Sequence, residues 1–294
     1  MVNILISGYY GFDNIGDESI LRTLVSSLRE HIPDCSLTVL SHNPASTREK
    51  YGVEAVDRMS PMAILRAVKK CDMLISGGGS LLQDVTSSKS LHYYLSIIRC
   101  AEFFHKKVFI YSQGIGPIDR PGNRRAAAAA LKRADGIVVR DERSAALLEE
   151  IGIARDKVVI TADPVIRMKK PDGDVGAEIL RKAGVSLDGR LTVGWAIRER
   201  DTDSRFVKEL LRSIQMMKDK YNAQSVLIPF HYEEDGEVCR HIAAQLPDDT
   251  AVCLNEKYLS EDMLSIIGNM DLLVGVRLHS LIYAAIMGVP LIGI

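Results

Sequence analysis

Gly8-Tyr9-Tyr10-Gly11-Phe12-Asp13-Asn14-Ile15-Gly16-Asp17-Glu18 follows the apolar run Val2-Asn3-Ile4-Leu5-Ile6-Ser7. It leads into a stretch whose apolar positions, Ile20, Leu21, Leu24, Val25 and Leu28, recur at helical spacing. A strand, a glycine-rich turn and an amphipathic helix in this order form the first half of a parallel α/β unit. The glycines leave backbone N–H groups bare where the helix begins, a geometry that suits an anion. Asn14, Asp17 and Glu18 add an amide and two carboxylates that a pure phosphate cradle does not need. The loop therefore reads as a site for a polar ligand with several hydroxyls. Its spacing is neither the dinucleotide fingerprint nor a P-loop, and a plain structural βα turn is the alternative.

Outward from this loop the same alternation continues. Strand-like runs fall at 2–7, 36–41, 73–76, 107–112, 136–139 and 158–161, with helix-like runs at 61–70, 91–105, 123–134 and 142–151 between them. A charged stretch with Pro and Gly, residues 167–176, breaks the pattern. It restarts at Leu191-Thr-Val-Gly-Trp-Ala-Ile197, with later strands at 225–229, 251–254, 271–275 and 289–294 and helices opening near Ser204, Asp235, Ser260 and Leu278. The expectation is an α/β protein of two Rossmann-like domains with parallel sheets, spanning 1–166 and 191–294 and joined by 167–190. The chain ends inside the apolar run Pro290–Ile294 with no covering helix. Parallel strands normally carry helices on both faces, so the natural protein is expected to continue and the second domain to be incomplete here.

The chain has 294 residues, enough for two domains. A net charge of −1 gives no field directed at nucleic acid or anionic lipid. Cys35, Cys71, Cys100, Cys239 and Cys253 form no C-x-x-C pair and read as reduced thiols in a cytoplasmic protein. No H-E-x-x-H helix or Ser-His-Asp ordering is present, and no metal is expected. The apolar region 272–294 is interrupted by Arg277, His279 and Pro290 and suits a buried strand–helix–strand better than a membrane span. Peripheral contact with a membrane surface, at its inner face, is left open.

Two more glycine loops close strands: Ser76-Gly77-Gly78-Gly79-Ser80-Leu81-Leu82-Gln83-Asp84 and Ser112-Gln113-Gly114-Ile115-Gly116-Pro117. With the first loop they fall at one sheet edge, the carboxyl edge where open α/β sheets bind ligands. Gln83 and Asp84 add directed polar groups. Arg140 closes the next strand, where it either holds a carboxylate or phosphate or pairs with Asp141, Glu142 or Asp163. In the second half, Gly275-Val276-Arg277-Leu278-His279-Ser280 ends a strand and opens a helix. Helix N–H groups, a fixed cation and an imidazole meet there, an arrangement for one anion. Arg198 is a weaker anion-binding candidate, and His231 is balanced between a ligand-facing role and a surface turn.

Taken together, residues 8–18, 77–84, 113–117, 140–141 and 277–280 resemble the motifs of the polysaccharide pyruvyl transferase family, in family order and across nearly the whole chain. The resemblance is to its bacterial cell-surface-anchoring members. It implies a GT-B-like fold with the active site in an interdomain cleft. It also implies transfer of pyruvate from phosphoenolpyruvate to two hydroxyls of one sugar as a cyclic ketal, with release of phosphate. The implied acceptor is an N-acetylmannosamine unit of a lipid-linked secondary cell wall polysaccharide, whose pyruvylated form anchors S-layer proteins. Phosphoenolpyruvate is the donor substrate, and no cofactor is implied. On this footing the catalytic candidates are His279, Arg277, Asp17 and Glu18. The substrate-binding candidates are Gly8, Tyr10, Gly11, Asn14, Gly78, Gly79, Gln83, Asp84, Gln113, Arg140, Arg198 and Ser280. Two rival readings remain: a GT-B nucleotide-sugar glycosyltransferase or 2-epimerase, and a non-catalytic sugar-nucleotide binding module.

Overall fold

The computed structural model describes residues 1–199, 201–202 and 204–294. The chain divides into two units: Met1–Phe12 with Asp17–Val165, and Asp13–Gly16 with Ile166–Ile294. The four residues at the tip of the first glycine loop thus belong to the second unit, although their neighbours on both sides belong to the first.

The first unit is a seven-stranded parallel sheet of β1 (Val2–Tyr10), β2 (Cys35–Ser41), β3 (Glu54–Asp57), β4 (Met73–Gly77), β5 (Lys107–Gln113), β6 (Gly136–Val139) and β7 (Val158–Ile160). Its order is β3-β2-β1-β4-β5-β6-β7. The direction of winding reverses between β1 and β4, so the loops after these two strands flank the switch point where such sheets take ligands. Helices α1 (Ile15–His31), α2 (Pro44–Tyr51), α3 (Pro61–Lys70), α4 (Ser88–Phe103), α5 (Pro121–Leu131) and α6 (Glu142–Glu150) connect them. The stripe expected on α1 is the buried one: Ile20, Leu21, Leu24 and Val25 are at most 4% exposed. Fully burying each such side chain contributes about 1.5–3 kcal/mol.

The second unit is a five-stranded parallel sheet of order β10-β9-β8-β11-β12. Its strands are β8 (Thr192–Ala196), β9 (Gln224–Leu227), β10 (Ala251–Cys253), β11 (Leu272–Gly275) and β12 (Leu291–Gly293). Helices α7 (Val175–Lys182), α8 (Arg205–Tyr221), α9 (Tyr232–Gln245), α10 (Ser260–Ile267) and α11 (Leu278–Met287) complete it. Its switch point lies between β8 and β11, beside Arg198 and the Arg277–His279 turn. Val193, Trp195, Leu227 and Val274 build its core with Val207, Leu210 and Ile214 of α8.

Three expectations are corrected. The stretch 167–190 is more than a connection, because α7 belongs to the second unit and packs against α10. The Gly176 N–H donates to Ser265 Oγ at 2.8 Å, and a Cβ on Gly176 would come within 2.3 Å of the Ser265 backbone. α2 and β3 had no counterpart in the expected elements. β1 also runs beyond Ser7 to Tyr10, with its pairing to β2 interrupted between Ser7 and Tyr10. Tyr10 keeps the parity of Ile4 and Ile6 along the strand and joins their core cluster.

Candidate functional site

In the first unit, several residues expected to meet a ligand hold the loops together instead. Tyr10 is fully buried and its hydroxyl donates to Gly77 O at 2.7 Å. Burial, with Asp17 and Glu18 nearby, raises its pKa well above the ordinary tyrosine value, so it stays a neutral core residue. Glu18 is 6% exposed, and both its oxygens are occupied. Oε1 accepts the Gly11 N–H at 2.8 Å, and Oε2 accepts the Tyr51 hydroxyl. Asp84 takes the N–H groups of Asp119 and Arg120, both at 3.0 Å, and the Asn123 amide at 2.8 Å, which fixes the chain entering α5. Burial alone would raise its pKa. The donations from Asp119, Asn123 and Arg120 outweigh burial and hold the carboxyl below its usual value. Gln113 is fully buried and ties β5 to β4 through Ser76 O and Oγ at 2.8 and 3.0 Å. Gln83 closes a turn onto Thr86.

Other candidates remain at the carboxyl edge. Asp17 is half-buried in the first turn of α1, and its Oδ1 lies against Gly79. A side chain at Gly79 would need a φ of +65° and would come within 2.6 Å of that oxygen. Gly78 packs on Ile20, Gly8 on the Tyr10 ring and Gly11 on Ser41. Arg140 forms an ion pair with Asp163 at 2.9 Å and donates to Ser80 Oγ at 3.0 Å. It lines a cavity of about 500 Å³ with Gly114, Pro117, Arg124, Arg143 and Leu147.

The second unit gathers its polar residues at the ends of β9 and β11. Asn14 forms an antiparallel bridge to His231, and the Ile15 N–H donates to Phe230 O at 2.9 Å. Asp13 receives Lys257 Nζ at 2.6 Å, a bond that raises the lysine pKa and keeps it charged. Gly16 lies so close to His279 that a Cβ there would come within 2.2 Å of Nδ1. Asn14 Oδ1 accepts the Gly16 N–H at 3.1 Å. These contacts set the His279 ring, in the first turn of α11, against the loop tip.

Arg277 caps the start of α11. Its Nε donates to Asp235 Oδ2 at 3.1 Å and its Nη2 to Asp235 Oδ1, a side-on, two-pronged pairing. Glu234 Oε2 stands 3.9 Å from Nη2. Asp235 is 1% exposed and also accepts the His231 N–H at 2.8 Å. The His231 ring caps α9 by accepting the Glu234 N–H at Nδ1, 3.3 Å away. Ser280 is fully buried and donates to Arg277 O at 2.6 Å. Arg198 is exposed after β8. Sequence reasoning missed Asp235 as the partner of Arg277, because the two stand on different loops. The only local signal was the run of acids, Glu233-Glu234-Asp235, opening α9.

Two parallel sheets, each with polar loops at its carboxyl edge, define a GT-B-like α/β protein with two Rossmann-like units. HepE from Anabaena, in complex with UDP and glucose, has the same fold, with a TM-score of 0.66 at 12% identity over 100% of this chain and 80% of that one. The UDP-GlcNAc 2-epimerase of Methanocaldococcus jannaschii matches with a TM-score of 0.68 at 13% identity over 99% and 83%. The amylovoran biosynthesis protein AmsJ of Erwinia amylovora is 21% identical over 350 aligned positions, covering 100% of this chain and 83% of that protein. The polysaccharide pyruvyl transferase family model matches residues 14–294, and the chain belongs to that family. Among the described residues no helix is long and apolar enough to cross a membrane, and no group of His, Cys, Asp and Glu is arranged to hold a metal.

Proposed function

We propose that this protein transfers the pyruvyl group of phosphoenolpyruvate to two hydroxyls of one sugar, an N-acetylmannosamine unit of a lipid-linked secondary cell wall polysaccharide. The product is a cyclic ketal that serves the anchoring of S-layer proteins, and the reaction takes place in the cytoplasm, at the membrane's inner face. The observation that carries the donor half is Arg277, held by Asp235 at the N-terminus of α11, two residues before His279. A donor with a carboxylate and a phosphate needs such fixed positive groups.

The chemistry follows from the donor. A proton added to the enol methylene makes a methyl group and leaves the adjacent carbon cationic. One sugar hydroxyl attacks that carbon and loses its proton. The second hydroxyl displaces phosphate and loses its proton, leaving a ketal and hydrogen phosphate. His279 is the proposed acid for the first step, its ring oriented by Gly16, and Arg277 with Arg198 balances the donor's charge. Asp17 is the proposed base for the acceptor hydroxyl. Glu18 takes no part in this scheme, because both its oxygens are engaged.

Incubation with phosphoenolpyruvate and an N-acetylmannosamine-containing glycan should give acceptor-dependent phosphate release and an acid-labile mass gain on the glycan. Acceptor-independent phosphate release, or turnover only with a nucleotide sugar, would sink the proposal. The second outcome would favour the rival that the UDP-bound neighbours suggest.

A further inference from the structure

The carboxyl ends of β1, β2 and β3 bring together a group of side chains that the proposed chemistry does not use. Tyr9, Phe12 and His42 form a column of parallel rings, with centroids 4.1 and 4.3 Å apart and planes within 5°. His42 has one face on Phe12 and is exposed, so its other face meets solvent. Arg58, 7% exposed, lies beside the column with Cζ 5.1 Å from the Phe12 centroid and 5.8 Å from that of Tyr9. Tyr93 and Tyr94 enclose it further, at 4.7 and 5.4 Å.

Arg58 donates to Gly8 O at 2.9 Å and to the Tyr94 hydroxyl at 3.1 Å, while its buried Nε has no hydrogen-bond partner. Among the described residues no carboxylate lies within ion-pair distance of it. A buried cation normally has an acid beside it. Here four aromatic faces hold it, and its charge remains uncompensated at the ligand-binding edge of the sheet. Flat rings open to solvent suit the apolar face of a sugar ring, and the uncompensated charge suits an acidic glycan over a neutral one.

We infer that the Tyr9–Phe12–His42 column, with Arg58 beside it, is a glycan subsite that stacks a pyranose of an acidic oligosaccharide on the outer face of His42. The inference rests on the reading of the substrate as a polysaccharide, and it places there a sugar other than the one that reacts. The probe is a tetrasaccharide of alternating N-acetylhexosamine and hexuronate, titrated into the full chain without donor, with its carboxyl-reduced form alongside. Saturable binding is expected, on the order of tenfold weaker for the reduced form and for His42→Ala, whose exposed side chain the fold does not need. Phe12→Ala should lose at least as much, with circular dichroism reporting its fold. No saturable binding at millimolar probe, or equal affinity of His42→Ala and the unaltered protein, would overturn the inference. The experiment reads no phosphate or pyruvate, so it can fail while the transfer reaction stands, and the reverse.

Discussion

Asp235 grips Arg277 side-on, through Nε at 3.1 Å and through Nη2, from a position 1% exposed on α9. The carboxylate also holds the His231 N–H, so one buried group orients the guanidinium and the start of α9 together. On the proposed reading, Asp235 is a positioning residue for the donor's charge clamp.

Replacing Asp235 with Asn keeps the shape and removes the charge that orients the cation. Breaking a buried pair in this way costs on the order of 3 kcal/mol of stability. The KM for phosphoenolpyruvate should rise, by up to about a hundredfold, since a binding group misplaced by about 1 Å can cost that much. Steady-state kinetics and thermal melts measure the two effects. An unchanged KM in a destabilised protein would show that the pair serves only the fold.

Gly16→Ala sets two effects against each other. Alanine within a helix is favoured over glycine by about 0.8–1 kcal/mol, but here its Cβ would come within 2.2 Å of His279 Nδ1. The half-buried imidazole must turn away. Near-normal melting with at least about tenfold lower turnover is expected, the scale of losing a general acid or base being about 10²–10⁴. Full activity would show that His279 needs no fixed orientation.

Tyr10→Phe removes one hydrogen bond inside the core, from the hydroxyl to Gly77 O. Stability should fall by about 0.5–1.5 kcal/mol while donor and acceptor KM stay unchanged. A large KM effect in a protein of ordinary stability would return Tyr10 to the substrate site.

Asp84 gives a pH signature. Its folded pKa lies below the unfolded value, so its stabilising effect is complete above the ordinary carboxylate range near about 4. It is lost as pH falls through the depressed folded value. The stability difference between the unaltered protein and Asp84→Asn should therefore be constant near neutrality and shrink in acid. Denaturant melts at several pH values measure it, and a difference independent of pH would contradict the assignment.

The parallel sheets were legible because their strands are buried on both faces and read as apolar runs; all five residues of β8 are buried. α2 escaped because Pro44–Tyr51 has no apolar stripe, although Asn43 before Pro44 and Gly52 after Tyr51 are ordinary helix boundaries. β3, Glu54-Ala-Val-Asp57, is a short edge strand with two apolar residues. The three glycine loops were found from local spacing. The partners of their polar residues were not, since Asp84 meets Asn123 and Glu18 meets Tyr51 across long sequence separations. The aromatic column with Arg58 beside it needed three strand ends at once, which no single window of sequence displays. The loop that begins at Gly8 proved to be shared, with its flanks in the first unit and Asp13–Gly16 in the second.

The most direct test of the central claim uses phosphoenolpyruvate labelled with ¹³C at its second carbon and an N-acetylmannosamine-terminated glycan acceptor. The unaltered protein should move the label into a ketal carbon on the glycan, seen by NMR, with one phosphate released per ketal. Arg277→Ala and His279→Ala, each still folded, should form none. A label that stays in phosphoenolpyruvate or leaves as free pyruvate with the unaltered protein, or ketal formed at normal rates by both variants, would contradict the account.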